Sequence, residues 1–589
     1  MTLTPARISG ALCATLFVLS PLVSAAQGAD RRSEPARPYS VYEFRGIDAL
    51  LGDEKDRALR DALGHIGDRV LDLPAELGSP GLLSLGMPVL VRALSGPHRY
   101  AFATGLDFDD LDAVGLNLEF EKASAEEASE LAEGIQGLSS LLGLGFEEPA
   151  PDGLAQSKAL SELWFGAVGT KLVVRFGTRR AIAFPDFAAL LPDEAELATG
   201  YYAQTGPVLD EYLEDAPLSA RKAEVVEDIA SSFGLDRAEV TLAGGRDERG
   251  IVRRMRIEQS PRMLRRLGLP GKVALDREFL RVVPSDATWA VVVSADLGQP
   301  SQIVSQLLQA HAPGVRADLA ALEKALGGRL HKTLFAALTG RFALFGSERA
   351  GGGPFSTVLV AELADPEAMR RMLDILEALV DERGRQELGG YLAFVTTEVG
   401  DVRVETLRVP GLPIPSPLAL SVVGEELVVA LGPRQALAVS EHLRSGEGGL
   451  ADAPGFPEQL GTRSPNGLSG IFWLDTPGML SAGYEVMGLA TSAIANAVAS
   501  PAEPTRGTPI LLPTPAELRR GAKPTVGWME VGEGETWVTV RRDPSALVNW
   551  TADIGWMVRS PFGAAIALGL GMDLARERWD EFLRELAGS

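Results

Sequence analysis

Ser219-Ala220-Arg221-Lys222 is the spacing in this chain that comes nearest to covalent chemistry. In a Ser-x-x-Lys pair the lysine amine can draw the proton from the serine hydroxyl and leave a nucleophile. Enzymes that work this way also carry a Ser-x-Asn-type element and a Lys-Thr-Gly strand. Ser285-Asp286-Ala287 and Lys332-Thr333-Leu334 match neither. Pro217 precedes the pair and a helical run follows it, so Ser219 reads as the N-cap of a helix. A serine hydrolase built on Ser219 and Lys222 is the least supported of three function classes. The chain has no Gly-x-Ser-x-Gly elbow and no phosphate-binding glycine loop.

Metal chemistry has little to build on. His65, His98, His311, His331 and His442 lack the close His-x-x-x-His spacing that puts two imidazoles on one helix face. The run Asp107-Phe108-Asp109-Asp110-Leu111-Asp112 offers oxygen ligands at alternate positions, which suits a hard cation. A calcium loop, however, would need a polar ligand at Leu111 and a glycine at Asp112. The run also lies between strand patterns, so a solvated hairpin turn is expected. No metal, no cofactor and no catalytic residue is expected, and the ligand-binding residues are left open.

Composition narrows the partners. A net charge of −23 and a pI near 4.8 argue against nucleic acid or anionic lipid held by bulk charge. Arg7 followed by the apolar Ile8–Val23 stretch and the small residues Ser24-Ala25-Ala26 reads as a secretory signal, 1–25, cleaved near Ala25. The stretch is short for a spanning helix, which needs roughly 20 apolar residues. Leu12 before Cys13 does not suit lipidation. Cys13 is the only cysteine and leaves with the signal, so the mature chain has no disulfide, thiol nucleophile or thiolate site. A periplasmic or secreted location follows, with no transmembrane span after cleavage.

The elements that would position any site repeat. Val168-Gly169-Thr170-Lys171-Leu172-Val173-Val174-Arg175-Phe176-Gly177 returns as Val423-Gly424-Glu425-Glu426-Leu427-Val428-Val429-Ala430-Leu431-Gly432, at a constant offset of 255 (423 − 168). The expectation is an α+β fold of two tandem related domains, each a mostly antiparallel sheet with helices packed on one face. Copy one spans 38–261 and copy two 274–544, followed by a C-terminal helical tail, 545–589. In each copy a helix ends at Gly96 or Gly340, and a strand follows at Tyr100–Thr104 or Arg341–Phe345. Apolar alternation at Leu116, Leu118 and Phe120, matched by Val358 and Val360, marks the next strand. Ser124-Ala125-Glu126-Glu127 has capping-box spacing, and Asp365-Pro366 opens a helix whose stripe runs from Met369 to Leu379. The repeated segment is a hairpin turning at Gly169 and Gly424, and turn geometry explains the shared glycines at 169, 177, 424 and 432. A short helix follows the Arg179 and Arg434 positions. Closing hairpins pair Glu239–Gly244 with Ile251–Ile257, and Val526–Val531 with Thr536–Arg541. Trp164, Trp289, Trp473, Trp528 and Trp537 fall in strands and are expected in the core.

The copies share architecture and no chemistry: His442 aligns with Phe187, and His98 with Phe342 at a local offset of 244 (342 − 98). Copy two alone has an insertion, 485–523. It holds the uncharged Val486–Ala499 helix and a proline-rich loop around Ile510-Leu511-Leu512. A helix apolar on nearly all sides is buried or touches something greasy, and packing between the domains is the expectation. In the tail, Pro561–Met572 is apolar but too short to span, and Trp579, Phe582, Leu583 and Leu586 recur at helical spacing.

Val283-Pro284-Ser285-Asp286-Ala287-Thr288, Ala337-Leu338-Thr339-Gly340, Val423-Gly424-Glu425-Glu426-Leu427-Val428-Val429 and the strand ending Trp473-Leu474-Asp475 carry a resemblance. Residues 279–480 resemble a broad family of exported bacterial proteins known only as a domain of unknown function. The resemblance implies an extracytoplasmic location and brings no catalytic residues. Three readings stand in order. The first is a non-enzymatic cell-envelope binding or structural scaffold, with an envelope protein as partner. The second is a carrier of an apolar ligand or lipid, with Val486–Val498 lining or capping its cavity. The third is the hydrolase.

Overall fold

A computed structural model describes residues 38–560, apart from 77–87, 92–95, 103–114, 178–181, 214–219, 312–319, 329–333, 409–416, 507–511 and a few shorter stretches. The signal segment, most of the Leu90–Gly96 helix end (90 and 92–95), the Asp107–Asp112 run and the tail from Pro561 lie outside the described residues. The first half runs β1 (Ser40–Phe44), α1 (Ile47–Leu50), α2 (Arg57–Gly64), α3 (Ile66–Glu76), β2 (His98–Phe102), β3 (Leu116–Glu121), α4 (Ala125–Leu141), β4 (Leu154–Gln156), β5 (Leu163–Val168), β6 (Lys171–Phe176), β7 (Glu196–Gln204), α5 (Ala220–Phe233), β8 (Glu239–Asp247) and β9 (Gly250–Glu258). After α6 (Pro261–Arg266) come β10 (Ala287–Ser294), α7 (Gly298–His311), β11 (Leu338–Ser347), β12 (Thr357–Leu363), α8 (Pro366–Leu388), β13 (Ala393–Val399), β14 (Val402–Arg408), β15 (Leu418–Val423) and β16 (Glu426–Ala430). The chain continues through α9 (Pro433–Ser445), α10 (Phe456–Leu460), β17 (Gly470–Leu474), α11 (Thr476–Val498), α12 (Pro515–Arg519), β18 (Thr525–Val531), β19 (Glu535–Arg542) and α13 (Ala546–Arg559).

All described strands join one 19-stranded antiparallel sheet, so the fold is α+β. From one edge the pairing runs β4-β5-β6-β3-β2-β1-β7-β8-β9. From the other edge it runs β13-β14-β15-β16-β12-β11-β10-β17-β18-β19. Apart from the extra β13, the two orders correspond strand for strand. They meet where β9 pairs antiparallel with β19, Arg254 opposite Thr539. One row of side chains crosses the first half as Val173, Glu119, Arg99, Glu43, Gly200, Ala243 and Arg254. Counted inward in the same way, the second half reads Val428, Val360, Ala343, Val292, Ile471, Trp528 and Thr539. Val173 and Val428 keep the offset of 255, and Arg99 and Ala343 keep that of 244.

Local signals act where the backbone demands them. Val168 pairs with Lys171 and Val423 with Glu426, which leaves two-residue turns led by Gly169 and Gly424, each at φ 59°. Gly432 differs, since its backbone is extended; there a Cβ would sit 2.4 Å from Gln435 Oε1. Asp365 Oδ1 accepts from Ala368 N at 2.8 Å above Pro366, and Ser124 Oγ accepts from Glu127 N at 3.1 Å. Leu338–Gly340 belongs to β11 rather than to a helix end, behind a single 3-10 turn at Phe335–Ala337. The helix after Arg434 has 13 residues, whereas Ala188–Leu190 in the first half is only a 3-10 turn.

Helices cover both faces of the sheet, not one. Ala436 and Val439 of α9 pack on the face carrying Val360 and Val428, while Met369 of α8 packs with Leu363 and Leu427 on the other. The central strands are apolar on both sides: β10 buries Thr288, Trp289, Ala290 and Val292 in turn. Trp289, Trp473 and Trp528 are buried, but Trp164 and Trp537 are half-buried. The halves are tied by more than the β9–β19 ladder. Buried Asp56 accepts from Ser545 Oγ at 2.6 Å and from the amides of Ala546 and Leu547, capping α13. Arg541 and Asp247 form a buried ion pair at 2.8 Å across the seam. Leu51 and Leu59 share a core with Met479, Leu480, Met487 and Leu547.

Candidate functional site

Among the described residues a cleft lies at one end of the first half's sheet, a cavity of about 110 Å³ lined by Glu43, Arg45, Arg99, Glu119, Glu121 and Lys171 among others. β1, β2, β3 and β6 place these side chains on one face, because directly paired residues of neighbouring strands point the same way. Arg99 donates to Glu119 Oε2 from Nε at 2.8 Å and from Nη2 at 2.7 Å. Lys171 Nζ reaches the same oxygen at 3.1 Å, and Asn117 Nδ2 donates to Oε1 at 3.2 Å. Arg45 pairs with Glu43 at 2.5 Å and with Glu121 at 3.6 Å. The Arg99 guanidinium also stacks 4.1 Å from the Phe184 ring centre. Burial pushes the Glu119 carboxyl up, but Arg99 and Lys171 outweigh it and hold it below the ordinary value. Three cations alternate with three carboxylates, so the cleft can trade its internal ion pairs for those of a ligand carrying both charges.

In β3 the polar side is the more enclosed one. Asn117 and Glu119 are buried, while Leu116, Leu118 and Phe120 are half-buried on the other face. The apolar alternation was legible, but the charged side is the enclosed one. Glu43, Arg99, Glu119 and Lys171 are far apart in sequence, and only the strand register brings them together.

The residues singled out in the sequence do not converge there. Ser219 and the Lys222 side chain lie outside the described residues, as does His331. His442 Nε2 lies 2.8 Å from the Arg281 carbonyl, His311 pairs with Asp228 at 2.8 Å, and His65 with Asp68 at 3.1 Å. His98, stacked near Phe44 and Phe120, borders the cleft. α11 packs its Met487, Thr491, Ala495 and Val498 face inward, against α13 and first-half α2 and α3. Its Leu489 is 75% exposed with Val486 beside it, so the helix also presents an apolar outer stripe. Neither principal cavity is lined by Val486–Val498. Among the described residues no helix is long and apolar enough to cross a membrane.

Among the described residues one acidic trio could hold a cation: Asp374 and Glu377 on α8, and Glu405 on β14. Arg403 Nη2 already sits between them, 2.7 Å from Glu405 and 3.4 Å from each of the others. Burial raises the Glu405 carboxyl; Arg403 opposes this, while Glu377 and Asp374 add to it. The i,i+3 spacing of Asp374 and Glu377 was readable in the sequence, but their meeting with Glu405 was not. Comparison of the chain with protein-family models, curated proteins and solved structures finds no match.

Proposed function

We propose that the chain is a non-enzymatic exported cell-envelope protein in which two tandem, related α+β units, 38–261 and 274–544, form one binding or structural scaffold. The observation that carries the reading is the common strand order on either side of the Arg254–Thr539 pair. Side-chain rows matching at offsets of 255 and 244 support duplication of one unit. The cleft favours recognition over reaction, since each of its carboxylates is engaged by a cation of the same cleft. Export rests on the Arg7–Ala25 signal pattern and on the resemblance of 279–480 to exported bacterial proteins. A second reading, a carrier of an apolar ligand or lipid, draws on the exposed Leu489, Val486, Met557 and Val558. The hydrolase reading rests on the Ser219–Lys222 spacing alone.

Fractionation combined with native mass spectrometry tests these readings together. The expected result is an extracytoplasmic chain beginning after Ala25, free of lipid and unlabelled by an activated-serine or β-lactam probe. A stoichiometric lipid would move the assignment to the carrier. Labelling that disappears in Ser219→Ala would establish the hydrolase and end the scaffold reading.

A further inference from the structure

We infer a second site, for a phosphate-class dianion, at the seam between the halves. β8, β9 and β19 bring Arg246, Arg253 and Arg542 to a narrow cavity of about 30 Å³, bounded on the other side by Asn549 and Trp550 of α13. That is room for roughly two waters or one tetrahedral anion open to solvent. The three guanidinium groups are under-neutralised. Arg542 pairs with Asp553 at 2.5 Å and donates at 3.4 Å to Thr525 Oγ1 and to the Asn549 carbonyl. Arg246 gives one hydrogen bond, to the Leu50 carbonyl at 3.3 Å, and its Nε is buried with no acceptor. The Arg253 guanidinium has no hydrogen-bond or ion-pair partner among the described residues. Desolvation of the group and the like charge of Arg542 lower its pKa, and Asp553 opposes them.

The three positive groups face Asp553, with Glu196 the cross-strand neighbour of Arg246, and so leave a local surplus of positive charge on a chain whose net charge is −23. Bulk attraction therefore cannot draw the anion; the arginine forks must hold it, and their planar donor pairs match phosphate oxygens. The fold itself does not require this charge. Counted from the Arg254–Thr539 pair, the counterparts of Arg253 and Arg542 at the other end of the seam are Val538 and Ile257. Counted from Ala243 and Trp528, the counterpart of Arg246 is Val531. The three counterpart positions are apolar at one end of the seam and arginines at the other. The inference stands on this geometry and does not depend on the scaffold reading.

Calorimetric titration of the full chain in low-salt, phosphate-free buffer tests it, with inorganic phosphate and, separately, glycerol 1-phosphate as probes. Saturable one-to-one binding is expected, weakened about tenfold in Arg253→Met and largely kept in Arg253→Lys. Arg370→Met, at an exposed α8 position, controls for loss of one charge and should leave binding unchanged. Because Arg253 makes no hydrogen bond or ion pair among the described residues, both methionine variants should melt close to the wild type in the absence of phosphate. Comparable affinities for the two probes would identify free phosphate as the ligand; a preference for glycerol 1-phosphate would identify the phosphate end of a larger molecule. Absence of saturable binding by either probe, or equal weakening in Arg253→Met and Arg370→Met, would overturn the site.

Discussion

Glu43, Arg99 and Glu119 occupy one row of the first half, and the row that pairs in the same order in the second half reads Val292, Ala343 and Val360. The covering elements account for the difference. In the second half α9 and α10 lie over the row, with Ala436, Val439 and Phe456 sealing it from water. In the first half the cover is an irregular segment whose Ile182, Phe187, Leu190 and Leu191 pack toward Val41 and Val252, leaving the row's other end open as the charged cleft. Shared strand order thus fixes a backbone frame, while the lid over each face decides whether charge is tolerated beneath it.

The largest expected effect concerns the α11–α13 pair of the second half. A Cβ on Gly483 would sit 1.8 Å from the Thr551 carbonyl oxygen, so Gly483→Leu must prise the helices apart. Urea denaturation should show a loss of about 3 kcal/mol or more. Gly488 faces open space, and Gly488→Leu should leave stability nearly unchanged.

Next is the charged row. Breaking a buried ion pair costs about 3–5 kcal/mol. Arg99 and Lys171 are 27% and 33% exposed, so solvent screening should reduce the cost of Glu119→Gln to about 2 kcal/mol. Glu43→Val, Arg99→Ala and Glu119→Val together install the second half's residues. This triple variant should be at least about 1 kcal/mol more stable than Glu119→Gln. A triple variant less stable than the single one would break the proposed correspondence of the rows.

The turns should respond as a matched pair. Gly169→Ala and Gly424→Ala each force a side chain into the left-handed region and should each cost about 1 kcal/mol. Unequal losses in thermal melts would blur the comparison.

The smallest effect is one of sign. Glu119 titrates below its ordinary 4.5 in the folded chain, so the unfolded chain binds its proton first. Its stabilisation is present above that pH and is lost as pH falls through the folded value. Glu405 titrates above 4.5, so its contribution runs the other way, with stability falling as pH rises through its folded value. At pH 7 Glu405→Gln should therefore be neutral or stabilising by less than about 1 kcal/mol, opposite to Glu119→Gln. Denaturation midpoints of both variants between pH 3 and 7 check this.

What a few neighbouring residues can enforce could be read from the chain alone. The Gly169 and Gly424 hairpins, the Asp365-Pro366 and Ser124 helix starts and the closing β8–β9 and β18–β19 hairpins were all legible, because turn and cap geometry is satisfied within about four residues. The seam was not. β9 meets β19 across nearly 300 residues of chain (539 − 254), and nothing local to either strand names the other as its partner. The same distance hid the burial of Glu119 under Arg99 and Lys171, the meeting of Asp374 and Glu377 with Glu405, and the gathering of Arg246, Arg253 and Arg542. Alternation within a strand tells which residues share a face; only the packed sheet decides which face is closed to water, and so where charge must find a partner.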